Sequence, residues 1–125
     1  MKKNYLFKLL MCVSIGVLLS SFTFGQCENL GGEEYAVVIQ ADNYAYAPQD
    51  IVIAVGESVA WENVGGNHNV DGTYDAIEDA QYTNPENFLI PTVLSAGETV
   101  CIGSFTFTEP GVYNYNCSIG NHAAQ

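Results

Sequence analysis

In VYNYNC, residues 112–117, tyrosines at 113 and 115 alternate with Val112, Asn114 and Asn116, and the run closes on Cys117. A period of two belongs to a β-strand, whose successive side chains point to opposite faces. The face that carries the two aromatic rings is the core face, so Cys117 points inward at the end of its strand. Five positions on, in a loop, stands His122.

Working outward from this run, the rest of the chain also reads as strands. EYAVVIQ (34–40), DIVIAV (50–55), SVAWEN (58–63), HNV (68–70) and SFTFT (104–108) are short and rich in β-branched and aromatic residues. Turn signals separate them: AP at 47–48, GE at 56–57, GG at 65–66, AGE at 96–98 and EPG at 109–111. No window carries a helical period and no repeat is visible. An all-β sandwich or barrel is expected. Parity assigns Val59 with Trp61, and Phe105 with Phe107, to the core. His68 opens HNV directly after the glycine turn, shares a face with Val70, and is expected to look inward from one end of the sandwich. The piece from Gly72 to Ala96, with YTNPENFLIP inside it, is the least regular; it is expected to form a short helical turn or to wrap one edge.

The first 25 residues are set apart. Lys2, Lys3 and Lys8 precede an apolar run from Leu9 to Leu19, and SSFTFGQ follows. A basic start, a short apolar core and a small-residue exit form a secretory signal. Cleavage is expected after Gly25, leaving 26–125 as one small domain in a secreted or periplasmic location. The apolar run is too short for a comfortable membrane span, so no stable insertion is expected after cleavage. Gln26 before Cys27 argues against a lipid anchor. All three basic side chains leave with the signal, and all fourteen acidic ones stay, for a formal charge of −14. Such a surface repels nucleic acid and anionic lipid and favours a basic partner protein, or simply keeps an exported protein soluble. Cys12 also leaves. Three cysteines then enter an oxidising compartment, where an odd number calls for an explanation.

One thiol and the chain's two histidines, brought together by different strand ends, make a soft donor set. Thiolate with two imidazoles in a trigonal plane suits copper, whereas zinc prefers four firm tetrahedral ligands. Singly, each residue has a plainer reading: a strand-end cysteine is often a buried hydrophobe or half a disulfide, and a loop histidine is often only solvated.

Three stretches together resemble the cupredoxins, the small blue copper proteins such as plastocyanin, pseudoazurin and azurin. YAPQDIVIAVGESVAWEN (46–63) is similar to their early strand pair, NHNV (67–70) to the segment with the first histidine, and EPGVYNYNCSIGNH (109–122) to their Gly-x-Tyr-x-Tyr-x-Cys hairpin that leads to the second. The resemblance runs from about Tyr35 to the end. It implies a Greek-key β-sandwich, one type 1 copper ion and the ligands His68, Cys117 and His122. It further implies that Asn69 ties the two ligand-bearing loops together and donates a backbone hydrogen bond toward the cysteine sulfur. With Cys117 taken by copper on this resemblance, Cys27 and Cys101 remain, and a disulfide between them is expected.

Two features depart from the family pattern. The family places an axial residue, usually methionine and sometimes glutamine, four or five positions after the second histidine, and then a last strand; here three residues follow His122. The sequence is accordingly expected to be a fragment lacking the axial residue and the final strand; Gln125 stands one position short of the family's axial spacing, and it or a backbone carbonyl near Asn67 takes the axial role only if 26–125 folds and binds copper unaided. Region 72–96 is the second departure. The implied function is non-enzymatic: carriage of single electrons between redox partners, with a basic partner such as a cytochrome or a copper enzyme. The alternative is a copper-binding module of a longer secreted protein, for binding, storage or delivery. A multicopper oxidase or copper nitrite reductase needs further histidine sets, which two histidines cannot supply.

Overall fold

The computed structural model describes residues 27, 34–42, 44–120 and 122. The expected signal, its cleavage point and Gln125 lie outside the described residues. Among these residues every regular element is a strand: β1 (Val37–Asp42), β2 (Ala45–Ala47), β3 (Ser58–Asn63), β4 (Gly66–Asp71), β5 (Tyr74–Asp75), β6 (Ala80–Gln81), β7 (Leu89–Ser95) and β8 (Val100–Thr106). Among the described residues, no helix is long and apolar enough to cross a membrane.

One sheet has the order β2-β1-β3-β8, with β1 parallel to β3 and the other pairs antiparallel; a second sheet pairs β4 with β7. The short β5–β6 pair stands apart. Ile39, Ala41, Val59, Trp61 and Ile102 of the first sheet meet Val70 and Ile90 of the second, with Phe88 and Phe107 closing the core. This is a β-sandwich, as the alternation of apolar residues predicts. Strand β3 is central and is buried along both faces from Val59 to Asn63. Gly103 lets the sheets meet: a Cβ there would lie 2.7 Å from Ile90 Cγ2, and its φ of 153° is one that side-chain-bearing residues rarely adopt.

Two expected strands, 50–55 and 112–117, have the right alternation and almost no ladder. Ile51, Ile53, Tyr113 and Tyr115 pack against the core, while Val52 is 98% and Val112 80% exposed. The backbone of Asn114 bonds Asn84 and that of Asn116 bonds Asp71. Backbone groups alternate sides along a strand, so those of Tyr113 and Tyr115 face the other way. Among the described residues they, and the backbone groups of 51–53, have no hydrogen-bond partner. A groove of about 370 Å³ lies between the two segments, bordered by Trp61, whose buried Nε1 has no hydrogen-bond partner of ordinary geometry among the described residues. Periodicity sets which way side chains point; a ladder needs a neighbour, and none of the described residues supplies one in this groove.

Region 72–96 departs from expectation in the opposite direction. It contains β5, β6 and the seven-residue β7, which pairs with β4. Pro91 hides β7 in the sequence, because a missing N–H argues against a strand. It is tolerated here because β7 bulges against β4 between the pairs His68↔Val93 and Val70↔Ile90.

The loop before β7 is stitched to the 108–113 segment by one carboxylate. Glu86 accepts hydrogen bonds from the N–H groups of Thr108 (2.8 Å) and Glu109 (3.0 Å), from the Thr108 hydroxyl (2.7 Å) and from the Tyr113 hydroxyl (3.0 Å). The Thr108 hydroxyl foremost, with these other donors, holds the Glu86 pKa down at about 2 against an ordinary 4.5. A depressed carboxylate pKa stabilises the fold above the unfolded value, and that contribution is lost as pH falls toward the folded one. Glu86→Gln is therefore expected to lower the thermal midpoint most at neutral pH, with the gap from wild type closing between pH 4.5 and pH 2. A gap that stays constant across that window in pH-dependent melting would show that the carboxylate charge is not what holds the loop.

Candidate metal centre

His68, Cys117 and His122 converge at one end of the sandwich, with one ligand atom from each, all within 4.8 Å of one another. Cys117 Sγ lies 3.4 Å from His122 Nδ1, and the two imidazole rings are 5.0 Å apart. His68 and Cys117 are buried, and His122 is part-exposed. All three predicted residues thus come together.

Local structure explains the convergence. The buried side chain of Asn63 accepts from Gly65 N–H (3.0 Å) and donates to the carbonyls of Gly66 (2.8 Å) and Val93 (2.7 Å), which shapes the glycine turn into β4 and aims His68 inward. Gly66 adopts φ 84°, the left-handed region that favours glycine. On the other side, Asp71 and Asn116 exchange both backbone hydrogen bonds, at 2.9 and 3.0 Å, and so dock the Cys117 segment on the end of β4. His122 N–H closes a turn on the Ile119 carbonyl, and its ring meets the edge of Tyr44 at 4.7 Å.

Asn69 links the two ligand-bearing segments. Its amide donates to Ser118 Oγ (2.8 Å) and accepts from Ser118 N–H (2.9 Å). The expected tie is present and runs through the side chain. Among the described residues the expected bond from its backbone N–H to Cys117 Sγ is not formed; the sulfur lies against His122 Nδ1. Burial, then the neighbouring His122, pushes the His68 pKa below its ordinary value, with the Gly65 backbone and Asp42 pulling the other way. A neutral imidazole, the form with a free lone pair, is thereby favoured.

A family model described as copper binding proteins, plastocyanin/azurin family, matches residues 33–125. The chain belongs to the plastocyanin/azurin family of copper-binding proteins. No curated protein matches it. Among solved structures it is similar to the dithionite-reduced auracyanin of the photosynthetic bacterium Roseiflexus castenholzii, with 21% identity over 70% of this chain and 87% of that chain and a TM-score of 0.43.

The residues present fit the metal of the plastocyanin/azurin family. One thiol and two imidazole nitrogens, mutually within 4.8 Å, can surround a single ion at ordinary bond lengths. A His₂Cys set is one that copper accepts, whereas structural zinc takes four firm ligands. Beside the cluster lies a cavity of about 500 Å³, bordered by Tyr44, Tyr46, Tyr82 and Tyr115 among others.

Residues that sequence reasoning passed over include Tyr46, Ser118 and Asn63. Tyr46 donates its hydroxyl hydrogen bond to the Asn69 carbonyl, and burial, followed by the nearby Cys117, raises its pKa far above the usual phenol value. Its place beside the AP turn carries no signal of this contact, which arises only where β2 meets the end of β4. The expected disulfide is present: Cys27 and Cys101 are bonded, with Cα atoms 4.8 Å apart, and Cys117 is the free cysteine of the described residues.

Proposed function

We propose that this protein is an exported carrier of single electrons that holds one type 1 copper ion through His68, Cys117 and His122. The observation that carries the reading is the meeting of one free thiol and two imidazoles from separate segments, clasped by Asn69–Ser118 and Asp71–Asn116. Copper bound there supplies a one-electron couple. The chain's part is to keep its donors still. Two clasps and a packed sandwich hold the ligands in one compromise arrangement, so little has to move when an electron arrives or leaves. His68 and Cys117 are shut from water, and His122 is the ligand that reaches toward the surface.

The partner we propose is a basic redox protein. No lysine or arginine follows Lys8, so the domain presents only acidic charge to what approaches it. Tyr44, half exposed against His122, and Ile77, 61% exposed beside the same cavity, offer an uncharged landing place within that acidic field. Export is supported by the signal-like leader and by the Cys27–Cys101 disulfide, a bond of oxidising compartments.

Stopped-flow mixing of the copper-loaded protein with a basic cytochrome tests this reading. One electron per protein is expected, with a rate that falls steeply as salt is raised, because screening removes the steering field. A two-electron stoichiometry, or failure to exchange electrons at any ionic strength, would sink the carrier reading; a salt-independent rate would sink the basic partner.

A further inference from the structure

Tyr46 is half-buried on β2, a strand that contributes no ligand, yet it reaches into the metal centre. Its ring meets Tyr115 edge-on at 5.1 Å and His68 at 6.4 Å, so the side chain is held from two sides. Its hydroxyl bonds the Asn69 carbonyl. A carbonyl only accepts, so the phenol must be the donor, and a phenol has one proton to give. The proton is therefore committed to Asn69, and only lone pairs remain for the other neighbours of the oxygen. Cys117 is one of them: it bears electrostatically on the phenol and borders the same cavity as Tyr46.

We infer that Tyr46 is a positioning residue of the metal centre, which locks the Asn69 backbone from a third strand and turns a proton-free oxygen edge toward Cys117. Asn69 is then gripped at both ends, its side chain by Ser118 and its carbonyl by Tyr46. Asn69 is buried, so a carbonyl that lost this donor would be left without compensation from bulk water. The oxygen edge adds a local negative end of a dipole in a site of low dielectric, where such partial charges count for more than they do in water. That field disfavours adding an electron to the centre.

The second effect rests on the proposed copper site; the first does not. Tyr46→Phe keeps the ring and removes the oxygen. In metal-free protein, amide exchange by NMR at Asn69 and Val70 is expected to become about tenfold faster, as loss of one buried hydrogen bond predicts. In copper-loaded protein the midpoint potential is expected to rise and the visible band to move. Tyr115→Phe removes a hydroxyl from the same aromatic stack without touching Asn69, and is expected to leave both readouts near wild type. Unchanged exchange in Tyr46→Phe overturns the lock. A potential that does not rise, or one that Tyr115→Phe raises equally, overturns the oxygen's influence on the centre. A wild-type protein that binds no copper defeats the proposed function and leaves the exchange result to decide the lock alone.

Discussion

Cys117→Ser is expected to abolish an intense visible absorption that the wild-type protein gains on binding one equivalent of Cu(II). The band comes from charge transfer out of a thiolate, and a serine hydroxyl is harder and stays protonated at neutral pH, so it cannot serve. No other cysteine of the described residues can take its place, since Cys27 and Cys101 are bonded to each other. The substitution is nearly isosteric, at a position that contributes to no strand, so the sandwich should keep its near-ultraviolet circular dichroism and its disulfide. Loss of the band with the fold retained isolates the ligand effect from unfolding. A copper-loaded Cys117→Ser protein that keeps the band would remove Cys117 from the ligand set. A wild-type protein that binds copper without such a band would do the same.

Replacing both Cys27 and Cys101 with alanine should cost the fold about 4 kcal/mol, read as a lower midpoint in urea. The disulfide closes a chain separation of 74 residues, and the chain-entropy model assigns a loop of that length about this much stabilisation. Domains of this size hold about 5–15 kcal/mol in all, so the variant should lose a quarter or more of its stability. Cys27 is fully buried, and its N–H donates to the buried Glu62 carboxylate at 3.1 Å, so this residue is held against β3 as well as β8. Thiol counting in denatured wild-type protein, after removal of the signal, should find one free thiol. A double variant with an unchanged midpoint, or a count of three, would show that this bond is not present in the exported protein.

Much of this was written in local pattern. Alternation at Val59 and Trp61 and at His68 and Val70 sets the direction of each side chain, because backbone pleating acts residue by residue and needs no partner. The glycine pair at 65–66 and the five-residue step from Cys117 to His122 are likewise local; they marked the three residues as candidates, and the resemblance to the cupredoxins named them as the set that the structure brings together. What the pattern could not settle were questions of neighbourhood. Segments 50–55 and 112–115 carry strand alternation and lack a ladder, while Pro91 sits in a strand that its own chemistry disfavours, because hydrogen bonding across strands depends on what lies alongside. Tyr46, Asn63 and Ser118 read as ordinary strand and loop residues until β2, β3, β4 and the Cys117 segment are brought to one end of the sandwich. By itself, then, the sequence determined the fold class and the side-chain directions of the strands it disclosed, both consequences of short-range geometry, and it offered one thiol and two imidazoles that only the family resemblance singled out as a ligand set. Only the tertiary structure decided which buried polar groups grip that donor set, because those hydrogen bonds join residues as much as 49 positions apart in the chain.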